Sequence, residues 1–285
     1  MTQYSDHTGR AAPAPAVGNS TVTGEGTGTG KEDDPGSETV AFAAYEAGVT
    51  PARQAVEYHP GLRGLLADDG DPRLFHAWML RYSVHGVHMT RPVEGWISTA
   101  GDHCAEIGLA DLGRALRAHA RAESGHEQMM ITDARYLATH PAGRDGIDLE
   151  ALFAAPPLAS ALDYIELHHD TIEGTRPYGQ VAIEYEIERL STAIGPTVLV
   201  AARRFIGPDG AGYSFVADHV ELDQGHTTFN RRQLTGVLTE RPDDLEYLVA
   251  TGTRALRTYL GFLTECLDLA RADLTGRQPL AGASR

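Results

Sequence analysis

Asp218-His219-Val220-Glu221-Leu222-Asp223-Gln224-Gly225-His226 is the stretch on which the reading of this chain turns. His219, Asp223 and His226 stand at i, i+4 and i+7. On an α-helix those offsets fall on one stripe roughly a third of the circumference wide. Aimed inward, the stripe gathers two imidazoles and a carboxylate around one point, the ligand types of a metal site.

What completes that point must come from other helices. The run His119-Ala120-Arg121-Ala122-Glu123-Ser124-Gly125-His126-Glu127 reads as helix, with Glu123 and His126 as surface neighbours at i, i+3. His119 and Asp133 fall near the same stripe. Asp223-Gln224-Gly225-His226 repeats the acid-x-x-His grammar. Two such pairs on two helices, joined by acids from other helices, is how bundles hold two iron ions. The missing acid is expected in Val181-Ala182-Ile183-Glu184-Tyr185-Glu186-Ile187-Glu188-Arg189-Leu190, where Glu184 and Glu188 share a face and Glu186 points away. An inward carboxylate in so apolar a helix needs a cation. Either of the pair could serve, and Glu188 is preferred. Against this stands the plain alternative that a lone Glu-x-x-His is a solvated helix face. The combination of three motifs favours metal.

The remaining chain is consistent with one all-α domain. Helical patterns run over 40–58 with a break expected at Pro51, from Asp71-Pro72 onward, from Arg91-Pro92 onward, and over 109–137, 158–172, 178–205, 213–238 and 243–274. No β period and no repeat is apparent, so the expected architecture is a bundle of roughly seven to nine helices. Residues 1–38, rich in Gly, Thr and Pro, read as a disordered tail, and 276–285 as a flexible C-terminal tail. The domain lies between, over 39–275.

A formal net charge of −15 argues against nucleic acid or an anionic membrane as partner. The two cysteines, Cys104 and Cys266, cannot build a disulfide framework or an iron–sulfur site, which points to a reducing cytoplasm. The first residues lack the basic and apolar pattern of a signal peptide, and no apolar run is long enough to span a bilayer.

The motifs also carry a resemblance. His219 to His226 resembles the last ligand helix of the heme-oxygenase-like di-metal oxidases and oxygenases. Ala122 to Glu127 followed by Asp133 resembles the first ligand helix of the iron-containing redox enzymes of that superfamily, and Ile187-Glu188-Arg189-Leu190-Ser191 its middle helix. The likeness covers about 120–235 in motif. It implies a heme-oxygenase-like multi-helix bundle with ligands Glu123, His126, Glu188, His219, Asp223 and His226. Some members add an acid from an earlier helix, for which Glu94 is the candidate. The alternative fold, a ferritin-like four-helix bundle, would use Glu94 and Glu188 as lone acids and leave His219 over.

Histidine and carboxylate ligands without thiolate suit two Fe(II) ions, with Mn(II) possible, and O2 as co-substrate. His119, Glu127, Asp133 and Glu184 are candidates to orient the imidazoles or to replace a ligand. The expected function is an O2-activating non-heme di-iron oxidase or oxygenase acting on a small molecule, such as an amino acid or amine of specialised metabolism. N-oxygenation, desaturation and oxidative C–C cleavage all occur in the family. Its cavity is expected between the Glu123, Glu188 and His219 helices. Tyr178, Tyr185, Tyr213, Phe215 and Phe229 could line it, and Arg176, Arg189 and Arg231 could anchor a carboxylate. An external electron donor and a homodimer are compatible with this reading. The competing functions are an iron store or other non-redox metal binder, a zinc hydrolase, and a thiaminase-like or heme-binding member of the same fold.

Overall fold

Helix follows helix along the described chain, and no strand occurs among the described residues. The structure is a computed structural model describing residues 35–141, 143 and 146–276; the side chains of 35–39, 223 and 224 also lie outside what is described. All of these residues belong to the unit spanning 34–285. The helices are α1 (Pro35–Glu57), α2 (Pro60–Leu66), α3 (Pro72–Thr90), α4 (Val93–Glu106), α5 (Ala110–Ala122) and α6 (Glu127–Thr139). After them come α7 (Leu149–Ala154), α8 (Ala159–Glu173), α9 (Gln180–Phe205), α10 (Ser214–Glu240) and α11 (Leu245–Thr275). The all-α expectation holds, with eleven α-helices among the described residues where fewer were expected. The surplus comes from two short helices, α2 and α7, and from the division of 109–137 into α5 and α6. α1 begins at Pro35, inside the segment read as a tail over 1–38; 1–34 and 277–285 lie outside the described residues.

Local chemistry accounts for several boundaries. Asp71 accepts the Arg73 amide at 2.9 Å and Pro72 occupies the first turn, so α3 starts where an Asp cap and a preset φ favour it. Pro51 does not break α1, and Pro196 lies within α9; both sit on exposed faces, where water can satisfy the carbonyl that loses its partner. On the opposite face of α1, Tyr45, Val49, Ala52 and Val56 are buried and keep the helix packed through the proline.

α9 is the axis of the bundle. It packs along α10 and touches α1, α3, α8 and α11, and α11 packs on α1, α3 and α8. An axis so enclosed should be apolar, yet Glu184, Glu186 and Glu188 on α9 are all buried. Glu186, fully buried, has a partner: Arg53 of α1 donates Nε to Oε2 and a terminal nitrogen to Oε1, each at 2.7 Å, and the Tyr45 hydroxyl donates to Oε1 at 2.9 Å. The bidentate geometry satisfies both oxygens, which is the condition under which a buried ion pair is tolerated.

Replacing one partner alone should therefore be costly. Arg53→Met is expected to lower unfolding stability by about 3–5 kcal/mol in urea denaturation, because it leaves Glu186 charged and enclosed. Adding Glu186→Gln should recover part of that loss. An Arg53→Met variant as stable as wild type would show that the pair is not desolvated.

Candidate metal centre

The long helix expected over 109–137 is interrupted where the first motif lies. α5 ends at Ala122, Glu123 follows as its cap, and Gly125 takes φ of +83°, a left-handed conformation that favours glycine. α6 restarts at Glu127, with His126 before it. Glu123 and His126 thus do not share a helix stripe at i, i+3. They are turned together by the break, which brings His126 Nδ1 to 3.0 Å from Glu123 Oε2.

Around Glu123 two groups of donor atoms converge. His119, Glu123, Glu188 and His226 form one, Glu123, His126 and His219 the other; within each, donor atoms lie within 4.8 Å of one another. Glu123 belongs to both. Its other oxygen lies 3.1 Å from His226 Nδ1, which is also 3.6 Å from Glu188 Oε1. His119 Nε2 is 3.0 Å from Glu188 Oε1. The imidazoles meet edge to face, His119 with His226 at 4.9 Å and His126 with His219 at 4.8 Å between centroids. Asp223 stands between His219 and His226 on α10, and its side chain lies outside the described residues.

Neighbouring groups fix this arrangement. The Phe215 carbonyl contacts His219 Nδ1 at 2.7 Å and the Phe215 ring stacks on the imidazole at 3.9 Å, leaving Nε2 as the atom free to serve as ligand. Asn230 donates to Glu188 Oε2 at 2.7 Å, and Phe229 stacks on His119. Asn230 follows His226 by one more i+4 step, so extending the stripe to a buried polar residue would have found it. Asp133 accepts the amides of Ser214 and Phe215 and the Ser214 hydroxyl at 2.8–2.9 Å. It caps α10 from α6 and sets the register of His219, rather than touching the imidazoles.

The remaining sequence candidates separate. His119, read as an orienting residue, stands inside a donor group. Glu94 is exposed in the first turn of α4 and far from the role of an added ligand, and Glu127 is half-buried and bonded to the Gln128 side chain. Glu184 lines the cavity and accepts the Gln180 amide at 2.6 Å. Burial, reinforced by Glu188 and Glu123 and opposed by His119, pushes its carboxyl up to about 8. Burial also lowers the His219 imidazole to about 4. Glu123 goes the other way: burial raises it, but the contacts from His126 and His226 hold it well below the carboxylate range.

One cavity opens onto this cluster, lined by Glu123, Glu184, Glu188 and His219 and otherwise mainly by apolar side chains; its empty volume is about 970 Å³ with its mouth included. All three expected segments contribute to its lining, Glu123 alone from the first, and α3, α8 and α11 supply much of the rest. Of the aromatic residues proposed to line it only Phe215 does; Trp78, Tyr82, Tyr164 and Tyr259 supply the rest. Tyr178, Tyr185 and Tyr213 belong to the core. None of the three arginines lines it. Arg176 pairs with Asp244, Arg189 lies 3.8 Å from Glu57, and Arg231 sits over the Phe42 ring.

No family model matches the chain, and no curated protein matches it. Solved structures do. A domain of unknown function with a heme oxygenase-like fold from Shewanella denitrificans is 16% identical, with TM-score 0.64 over 86% of this chain and 97% of that chain. A TenA homologue from Pseudomonas syringae is 14% identical, with TM-score 0.62 over 79% and 92%. A TenA family transcription regulator from a Silicibacter species is 17% identical, with TM-score 0.59 over 80% and 96%. The fold is heme oxygenase-like, and the ferritin-like alternative is set aside.

The raised Glu184 carboxyl has a thermodynamic consequence. The unfolded chain ionises this group near 4.5 and the folded one near 8, so the folded state holds the extra proton between those values and stability falls as pH rises through them. Buried histidines such as His219 oppose the trend only below about 6.5. In chelator-treated protein, stability should drop by about 2 kcal/mol between pH 6.5 and 8. Glu184→Gln should flatten that slope in denaturation curves; an unchanged slope would assign the effect elsewhere.

Proposed function

We propose that the chain is an O2-using non-heme di-iron oxidase or oxygenase acting on a small molecule. The observation that carries the reading is the pair of donor groups sharing the Glu123 carboxylate at the end of an apolar cavity. His119, Glu188 and His226 would hold one ion with Glu123, and His126 and His219 the other. Four imidazoles and carboxylate oxygens without sulfur fit Fe(II), and Mn(II) nearly as well. When bound, two such ions would supply the electrons and Lewis acidity for reducing O2.

The chain's own residues have distinct tasks. Phe215 and Phe229 fix the faces of His219 and His119, and Asn230 holds Glu188. The apolar walls exclude water and hold the substrate against the cluster. Glu184 keeps a proton on a carboxyl facing the cavity.

A thiaminase-like function would call for an activated cysteine. Both cysteines are buried and neither lines the cavity; burial pushes the Cys104 thiol up to about 12 and Cys266 well above its ordinary range. No helix among the described residues is long and apolar enough to cross a membrane.

Anaerobic titration of the full chain should saturate at about two Fe(II), with rapid O2 uptake on mixing. Glu123→Gln should abolish loading at both positions, and His219→Ala should leave about one equivalent. An iron store or a hydrolase would bind metal without O2 uptake that substrate accelerates. Full loading of Glu123→Gln would overturn the shared-carboxylate arrangement.

A further inference from the structure

The cavity carries a chemical preference of its own. Its ionisable lining groups, apart from tyrosines, are Glu123, Glu184, Glu188 and His219, and no lysine or arginine lines it among the described residues. On α9 the lining continues past Glu188 through Ser191, Ile194 and Val198. Ten residues separate Glu188 from Val198, so at 1.5 Å per residue this wall runs about 15 Å away from the cluster. Opposite it stand Trp78, Met89, Phe215 and Leu263, from three other helices.

Among the neutral polar groups along this length, Tyr82, Tyr259 and Thr90 already have partners. The Tyr82 and Tyr259 hydroxyls lie 3.2 Å apart, and Thr90 donates to the Gly86 carbonyl at 3.0 Å. Nothing in the body of the cavity compensates a carboxylate, and burying one there without a cation would be costly. An amino acid brings such a carboxylate and too little apolar surface to cover walls of this length.

We infer that the cavity takes an elongated, predominantly hydrocarbon molecule, uncharged along its body, such as an alkyl or alkyl-aromatic alcohol, with one end against the Glu123–Glu188 cluster. The inference rests on the proposed function only for which end reacts; the binding preference follows from the walls. The α9 stripe sets the length and the far end of the occupant.

The test is binding of 1-hexanol, 1-octanol, 1-decanol, decanoate and leucine to the full chain, chelator-treated and iron-loaded, followed by Trp78 fluorescence and calorimetry. Each added methylene should tighten binding about fourfold until the chain fills the cavity. In chelator-treated protein decanoate should bind at least tenfold more weakly than 1-decanol, and leucine should not saturate. Ile194→Trp, which fills the middle of the channel, should weaken 1-decanol binding at least tenfold while iron loading stays at wild-type stoichiometry. Val198→Phe provides the same readout at the far end should Ile194→Trp fail to fold. Affinity independent of chain length overturns the inference, as does leucine binding as tightly as 1-decanol, or 1-decanol binding unchanged in the folded variants. Because the series is also read in chelator-treated protein, failure of iron loading would sink the di-iron reading and leave this one standing.

Discussion

The Glu123 carboxylate is the contact through which the candidate site is built. His126 lies 3.0 Å from one of its oxygens and His226 3.1 Å from the other, and it is the residue common to both donor groups. That position exists because the backbone leaves the helical path between α5 and α6. A continuous helix would have put His126 beside Glu123 on one stripe, with both side chains leaning toward the N-terminus. The left-handed Gly125 turns the imidazole back onto the carboxylate instead. A backbone conformation that disfavours most side chains is thereby tied to the electrostatic centre of the molecule.

α9 shows three ways in which this fold keeps acids inside. Glu186 is charged, and Arg53 and Tyr45 satisfy it completely. Glu188 is held by His119 and Asn230 within the donor cluster. Glu184, with Gln180 donating to it, is pushed toward the protonated form. A buried carboxylate must be paired, ligated or neutralised, and one helix carries an instance suited to each outcome. The spacing follows from helix geometry: Glu184 and Glu188 face the cavity together, while Glu186 turns to α1.

Helix identity was legible because periodicity, caps and proline positions agree, as at Asp71-Pro72. The inward stripe of α10 was legible for the same reason, since His219 and His226 need only a regular helix to share a face. The division of 109–137 was not, because Gly125 alone does not distinguish a tolerated helical glycine from a left-handed turn. The place of His119 depends on how α5 approaches α9, which no local pattern encodes. Asp133 looked like a metal-site acid from its spacing, whereas the exposed amides of the α10 N-terminus claim it. Glu94 failed for the opposite reason: its sequence position suited a ligand, but α4 turns it to solvent.

Behind the cavity wall a buried polar thread runs from Glu184 through Gln180 to His168, which stacks on Trp96 at 4.0 Å between centroids. Burial lowers the His168 imidazole to about 3 and raises Glu184 to about 8. Near neutral pH both ends of the thread are therefore uncharged. That matters for the cavity, because a charged Glu184 would oblige any occupant to carry a cation or to leave the carboxylate uncompensated. With the proton kept on Glu184, the α9 wall on the side of Glu188 away from Val198 presents a neutral hydrogen-bonding group. Charge in this site is confined to the donor cluster itself, where Glu123 is held ionised by its histidines. One ionised and one protonated carboxyl therefore face the same cavity, with charge held at the donor cluster.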